Sequence, residues 1–199
     1  DYKKIFSLKN KKIVILGGSG KMGINFSKTL VSAGAKVFLG DVKKNKTKSK
    51  VKYEYCDVSN TNSLNSFFKK LINKEKKLDT LIYNVYSKPQ NYYQKFEKYD
   101  DNVWEEVIKT NLSGAYKSSK IIINHFKKKK ISGNIIFILS TYGIVGPDHS
   151  IYKNLSSKKN IYGGKFSLTT PAPYTSSKSG LLGLMKYLST LYGKDNIRV

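Results

Sequence analysis

An α/β fold built on one doubly wound parallel sheet is the class this sequence predicts, on three observations. A short apolar strand runs straight into a glycine-rich turn and a helix over residues 11–34, KKIVILGGSGKMGINFSKTLVSAG. Short apolar runs then alternate with helix-length amphipathic segments along the rest of the chain. Each apolar run stops at a glycine or a polar residue, in turn Gly17, Asp41, Asp57, Asn84 and Ser140. Strands joined by helices need right-handed crossovers, so the strands all point one way and their carboxyl ends share an edge. In open α/β sheets, ligands bind at that edge.

Ile13, Val14, Ile15 and Leu16 make the first strand, because a run this short suits a strand and is too short for a helix. Gly17, Gly18, Gly20 and Gly23 form the turn, where missing Cβ atoms let another molecule approach the backbone. Met22, Phe26, Leu30 and Ala33 recur at helical spacing, and Gly34 is placed to stop that helix. Its first amides point at the turn with the positive end of the helix dipole, a cradle for pyrophosphate formed by Gly17, Ser19, Gly20, Met22 and Gly23. Lys36 to Gly40 is the second strand. It ends at Asp41, 24 positions after Gly17, where a carboxylate can accept hydrogen bonds from the adenosine ribose hydroxyls. That favours NAD over NADP, whose 2′-phosphate would meet repulsion only partly offset by Lys43, Lys44 and Lys46.

Val51 to Cys56 reads as the third strand, followed by Asp57 and Val58. A helix from Thr61 to Asn73 turns Leu64, Phe67, Phe68, Leu71 and Ile72 inward. Thr80 to Tyr83 is the fourth strand, ending in Asn84. A long helix from Asp101 to about Lys127 carries Val103, Trp104, Val107, Ile108, Leu112, Ala115 and Ile122 on its apolar side. Asn111 lies in its middle, where an unsatisfied buried amide would cost about 1 to 3 kcal/mol. Asn134 to Leu139 is the fifth strand, closed by Ser140. A last helix spans PAPYTSSKSGLLGLMKYLSTLYG with Leu181, Leu184, Met185 and Leu188 on its apolar face, and Asn196 to Val199 opens a further strand.

Composition narrows the classes of function. At 199 residues the chain suits a single domain, residues 1–199, and is short for two. A net charge of +24 ordinarily points to nucleic acid. Here Arg198 is the lone arginine and the lysines are spread through every segment, whereas readers of nucleic acid use arginine for bidentate contacts. No nucleic-acid partner is therefore expected, and the run Lys127 to Lys130 reads as a solvated helix end. The longest clean apolar run, Ile135 to Leu139, is five residues against the roughly 18 of a membrane helix. The opening DYKKIFSLKNKK has no signal-peptide core, so a cytoplasmic protein with no membrane partner is expected. Cys56 stands alone and offers neither a disulfide nor a metal site. The chain starts without methionine and stops in an opening strand, which reads as an incomplete C-terminal end.

Tyr174 and Lys178 are four apart and leave the same face of the last helix. Spacing alone proves little, because 15 tyrosines among this many lysines predict about 2.7 such pairs by chance. Tyr116 and Lys120 form the other pair, inside the long helix. What distinguishes Tyr174 is that it follows Ser140 on the next crossover, at the ligand edge. A phenol ordinarily titrates near 10, so it needs cations to transfer protons at neutral pH. Lys178 and an oxidised nicotinamide ring supply them, and Ser140 can hydrogen-bond the same substrate oxygen.

On these residues the sequence resembles the short-chain dehydrogenase/reductase family from the glycine turn to Val199. The resemblance implies a Rossmann-type sheet and NAD(P)-dependent hydride transfer between the cofactor and an alcohol or carbonyl. Tyr174-Thr-Ser-Ser-Lys178 is similar to the catalytic Tyr-x-x-x-Lys, Ser140-x-x-Gly143 to the catalytic serine segment, and Asn111 to the asparagine that holds a proton-relay water. Asp57 and Val58 resemble the pair beside adenine, Asn84 resembles the asparagine of the Asn-Ala-Gly segment, and Lys178 would also bind the nicotinamide ribose.

Three departures stand out. Lys21 occupies the middle glycine of the usual turn, leaving Gly17-x-x-Gly20-x-x-Gly23, closer to extended, sugar-nucleotide members. Asn84-Val85-Tyr86 replaces Asn-Ala-Gly with a bulkier wall. Ser140 and Tyr174 lie 34 apart, which implies an insertion over about 144–173, polar enough to be a substrate lid. His149 within it reads as an ordinary loop histidine. Such insertions resemble members associated with bacterial surface sugars and flagellin glycans, so a small polar, sugar-derived substrate is expected. A sugar-nucleotide epimerase or dehydratase with retained NAD, or a non-catalytic NAD-binding protein, are the alternatives. The resemblance further implies a homodimer or homotetramer through the Asp101 to Lys127 and Tyr174 to Tyr192 helices.

Overall fold

A computed structural model of the chain describes residues 2–44, 51–153 and 169–199. Lys46 and half of the expected insertion, residues 154–168, lie outside the described residues. Six parallel strands form one sheet in the order β3-β2-β1-β4-β5-β6. They are β1 (Lys12–Leu16), β2 (Lys36–Asp41), β3 (Lys52–Tyr55), β4 (Thr80–Tyr83), β5 (Gly133–Phe137) and β6 (Ile197–Arg198). The chain starts at β1, winds outward to β3 and returns past β1 to β4, so the direction of winding reverses between β1 and β4. That reversal opens a crevice at the carboxyl edge.

The helices are α1 (Tyr2–Ile5), α2 (Lys21–Ser32), α3 (Thr61–Glu75), α4 (Asp101–Ile108), α5 (Gly114–Lys129) and α6 (Ala172–Tyr192). Asn60 caps α3 by accepting from the amides of Asn62 and Ser63, and Asp100 caps α4 through Asn102. The predicted long helix is real but not uniform. A π-helical turn, Lys109–Ser113, joins α4 to α5 and contains Asn111. The lysine run ends α5 with Lys130 in the left-handed region at φ 50°.

Strand side chains alternate between faces, and two cores follow from that period. Val14, Leu16, Phe38, Leu81 and Ile135 pack with Phe67 and Phe68 of α3, Ile122 and Phe126 of α5, and Leu181 of α6. Ile13, Ile15, Val37, Leu39 and Ile82 face the other way, with Phe26 and Leu30 of α2 against them. Two residues depart from their expected apolar stripes. Met22 is 51% exposed because it sits in the first turn of α2, beside the glycine turn rather than over the sheet. Trp104 is 38% exposed on α4, since the inward face of that short helix is filled by Val103 and Val107.

Register aligns the functional edge. Leu16 pairs with Gly40 on one side and Tyr83 on the other, and Tyr83 pairs with Phe137. The residues one step beyond that line are therefore Gly17, Asp41, Asn84 and Ile138. The expected fifth strand, Asn134 to Leu139, runs from Gly133 to Phe137; the Ile138 amide still donates to the Tyr83 carbonyl, while the Ile138 carbonyl accepts from the Lys178 ammonium.

Candidate active site

At the mouth of β1 the backbone makes the cradle. Gly17 has φ +77°, and a Cβ there would lie 2.5 Å from the Asn84 carbonyl oxygen, so neither the turn nor its neighbour tolerates a side chain. A Cβ on Gly23 would meet the Gly17 carbonyl at 2.5 Å, which is what allows α2 to start so close under the turn. Gly20 is different: nothing lies nearer than 3.9 Å to its missing Cβ. Gly20 is also the N-cap of α2, with no side-chain cap and no acid in the first turn. The helix start thus presents amides and the positive dipole end to open space, the requirement for binding a pyrophosphate.

Asp41 closes one end of the cradle. One carboxylate oxygen accepts from the Ser19 amide at 2.9 Å and the other from the Lys43 amide at 3.1 Å. Each carboxylate oxygen can accept more than one hydrogen bond, so the group suits hydroxyl donors as well. Asn84 ties β4 to the turn, its Nδ2 donating to the Gly17 carbonyl at 3.0 Å. Asp57 holds a local turn, with Oδ1 accepting from both the amide and the hydroxyl of Ser59. Val58, expected beside a nucleobase, puts its side chain into the core at 5% exposure, which leaves only its backbone to face a ligand. The cradle and the hydroxyl acceptor at its end fit a dinucleotide.

The other half of the crevice is assembled by side chains. Tyr83 is buried at the end of β4, and its hydroxyl donates to the Thr110 carbonyl in the π-turn at 2.5 Å. Burial pushes that phenol well above its ordinary range, so it serves only as a neutral donor. Gly114 leaves room for it, since a Cβ there would run into the Tyr83 hydroxyl. Asn111, displayed by the same turn, is wholly buried. Its Oδ1 accepts from the Ser87 amide at 2.8 Å and its Nδ2 donates to the Ser177 hydroxyl at 3.0 Å. Its side chain is therefore satisfied inside the protein, the resolution of the buried amide noted in the sequence.

Ser140 leads out of β5 into a 3-10 turn, Thr141–Gly143, and its hydroxyl accepts from the Tyr142 amide at 3.2 Å. That segment is fastened to α6 on both sides of Ser140. Ahead of it, Lys178 Nζ donates to the Ile138 carbonyl at 2.5 Å; beyond it, the Ser179 hydroxyl donates to the Gly143 carbonyl at 3.0 Å. Gly143 sits so close to α6 that a Cβ would be 2.9 Å from the Lys178 carbonyl. Tyr174 is one turn earlier, with Lys178 Nζ 5.8 Å from its ring centre. Burial lowers the Lys178 ammonium to about 8. The exit of β5 and the first turns of α6 are thus held together across the insertion. The ends of the insertion meet: His149 Nδ1 bonds the Thr169 hydroxyl at 2.8 Å, and the Tyr152 and Thr170 hydroxyls bond at 2.9 Å.

Beside Tyr174 stands an aromatic wall from the segment after β4. Tyr92 is buried and packs edge-on to Tyr93 at 5.2 Å, the Tyr99 hydroxyl donates to the Tyr92 carbonyl, and Lys88 lies 4.8 Å over the Tyr93 ring. Burial raises the Tyr92 phenol, with Tyr99, Tyr93, Tyr174 and Tyr86 adding to the shift. Cys56 is buried, and burial with the carboxylates of Asp57, Asp41 and Glu54 pushes its thiol up to about 12, so it is no nucleophile. Tyr116, of the competing pair, is exposed on α5. Sequence reasoning missed Tyr83, Ser87, Tyr92 and Ser177. Only Ser177 carried a signal, a small polar residue on the inward side of the helix between Tyr174 and Lys178.

Residues 11–159 match the family model described as short chain dehydrogenase. A 3-oxoacyl-(acyl-carrier-protein) reductase of Chlamydia pneumoniae is 24% identical over 203 residues, covering 97% of this chain and 72% of the relative. The sorbose reductase of Schizosaccharomyces pombe is 27% identical over 211 residues, covering 98% and 80%. Among solved structures, a short chain dehydrogenase from Leptospira borgpetersenii with bound NAD+ superposes with a TM-score of 0.82 at 25% identity, covering all of this chain and 71% of that one. Among the described residues, no helix is long and apolar enough to cross a membrane.

Proposed function

The chain belongs to the short-chain dehydrogenase family and is an oxidoreductase of that kind; from that premise we propose that it transfers hydride between NAD and the alcohol or carbonyl of a small polar, sugar-derived substrate. Gly17, Ser19, Gly20, Met22 and Gly23 would hold the pyrophosphate, Asp41 the adenosine ribose, Asp57 and the Val58 backbone the adenine side, and Asn84 and Lys178 the nicotinamide side. Asp41 supports NAD over NADP, since its carboxylate suits hydroxyl donors and repels a phosphate. When bound, the nicotinamide accepts or supplies the hydride.

In the oxidising direction Tyr174 takes the proton of the substrate hydroxyl, and in reduction it returns that proton to the oxygen. Ser140 hydrogen-bonds the same oxygen and orients it. Lys178 brings positive charge to the phenol while its Nζ is steadied by the Ile138 carbonyl. Asn111 acts through the π-turn and Ser177 rather than by reaching the substrate with its side chain. The observation that carries this reading is the double fastening of the Ser140 segment to the Lys178 turn of α6. The tyrosine wall and its hydroxyls support a sugar-like substrate, as does the likeness to a sorbose reductase. Exposed Trp104 and Tyr116 on α4 and α5, with Tyr187 and Leu191 on α6, support pairing of two copies through those helices.

Tyr174→Phe tests the reading. Turnover on a panel of ketoses and sugar alcohols falls about 10³-fold, while NADH fluorescence on binding stays that of the wild type. A variant that keeps more than a tenth of the wild-type turnover contradicts the assignment.

A further inference from the structure

We propose that Ser177 is a positioning residue of the reaction: held between the Asn111 amide and the Tyr174 carbonyl, its hydroxyl locks the first turn of α6 so that the Tyr174 phenol keeps its place beside Lys178. The proposal rests on the reading of Tyr174 as the proton-transferring group.

The need for such a lock comes from where Tyr174 sits. It is the third residue of α6, the helix that begins where the insertion ends. Its N-cap is Pro171, with no side-chain cap bond among the described residues, so the open amides of the first turn find no side-chain acceptor at the terminus. A proton-transferring group on a fraying turn would lose its geometry, and a misplacement of about 1 Å can cost about 10²-fold in rate.

Ser177 supplies the missing restraint from the side. It is wholly buried, and its hydroxyl donates to the Tyr174 carbonyl at 2.9 Å. The same oxygen accepts from Asn111 Nδ2 at 3.0 Å. Asn111 Oδ1 is already occupied by the Ser87 amide at 2.8 Å, so Asn111 has only donors left for Ser177. The direction of every bond is thereby fixed: the Ser87 amide donates to Asn111, Asn111 to Ser177, and Ser177 to the Tyr174 backbone. Three separate segments, the loop after β4, the π-turn and α6, meet in this one chain of bonds. A serine serving only its own helix would need no partner outside it, whereas this one also accepts a hydrogen bond from the π-turn.

The test uses the chain with NADH and the best ketose or aldose substrate. Ser177→Ala lowers kcat about 10- to 100-fold, while KM for substrate and Kd for NADH stay within about twofold, because neither ligand touches Ser177. Ser177→Cys is nearly isosteric and has a weak donor, so its kcat falls between alanine and wild type. If the alanine variant does not fold, the cysteine variant against wild type carries the same comparison. A kcat for Ser177→Ala within twofold of wild type overturns the proposal. So does a rise of KM and Kd in step with the loss of kcat, or a cysteine variant no better than alanine. Wild-type protein that turns over nothing defeats the oxidoreductase reading itself; turnover indifferent to Ser177 defeats this inference alone.

Discussion

The two sides of the crevice are built in opposite ways. On the β1–β2 side, the geometry is made by backbone: a turn with φ +77° at Gly17, a helix start packed under it at Gly23, and a carboxylate held by two amides. On the β4–β5 side, each feature is a side chain satisfying another element's backbone, as with Tyr83 to Thr110, Asn111 to Ser87, Lys178 to Ile138 and Ser179 to Gly143. A backbone cradle depends on what is absent, the Cβ atoms. A side-chain lattice depends on partners from distant positions, and it breaks one bond at a time. Ligand binding should therefore be sensitive to added atoms on the first side, and turnover to removed atoms on the second.

The largest stability effect expected from that contrast is at Gly17. Gly17→Ala forces a Cβ into the Asn84 carbonyl at an unfavourable φ, so we expect a loss of about 3 kcal/mol in urea unfolding together with NADH binding. Unchanged stability would mean the turn is not the rigid body described.

Lys178 sharpens the other side through pH. At pH 7 folded and unfolded chains both carry the ammonium, so the cost of burying it is fully present. Between about 8 and 10.5 the folded chain sheds the proton first, and wild type gains about 3 kcal/mol relative to Lys178→Met across that window. Thermal melts of both proteins from pH 7 to 10 check the sign. Parallel curves would show that Lys178 is not buried as described.

Tyr83→Phe removes one hydroxyl and leaves the Thr110 carbonyl of the π-turn without it. We expect about 1 to 2 kcal/mol of lost stability and a several-fold lower kcat with NADH affinity intact. Equal losses of affinity and kcat would erase the distinction between the two sides. The smallest effect belongs to Gly20→Ala. With open space around it, stability should move by less than about 0.5 kcal/mol, yet NADH should bind about tenfold more weakly, roughly 1.4 kcal/mol. Calorimetry showing unaltered affinity would remove Gly20 from the cradle.

The backbone side was largely legible from residue order, because glycine spacing, strand length and the polar residue after each strand are local patterns. Strand alternation, the α3 stripe and the position of Asp41 follow from periods of two and 3.6 and from short spacings. Met22 and Trp104 escaped their expected stripes because a periodic pattern says which residues share a face, not whether anything covers it. The side-chain lattice was readable only in part. Ser140, Tyr174 and Lys178 were picked out by motif, but Tyr83 and Ser87 have no signature in residue order and Ser177 shows only its inward place on α6, since its partner Asn111 lies 66 residues away.

What residue order determined by itself was the parallel sheet and the polar residues near its carboxyl edge, because hydrophobic periodicity and handedness act over neighbouring residues; the doubly wound order came with the family resemblance. Only the tertiary structure decided how the π-turn, the exit of β5 and the first turn of α6 close on one another across the insertion. Loop-closure entropy grows only slowly with length, so the length of the insertion constrains the approach of its two flanks little, and the hydrogen bonds from Lys178 and Ser179 to the β5 exit settle it.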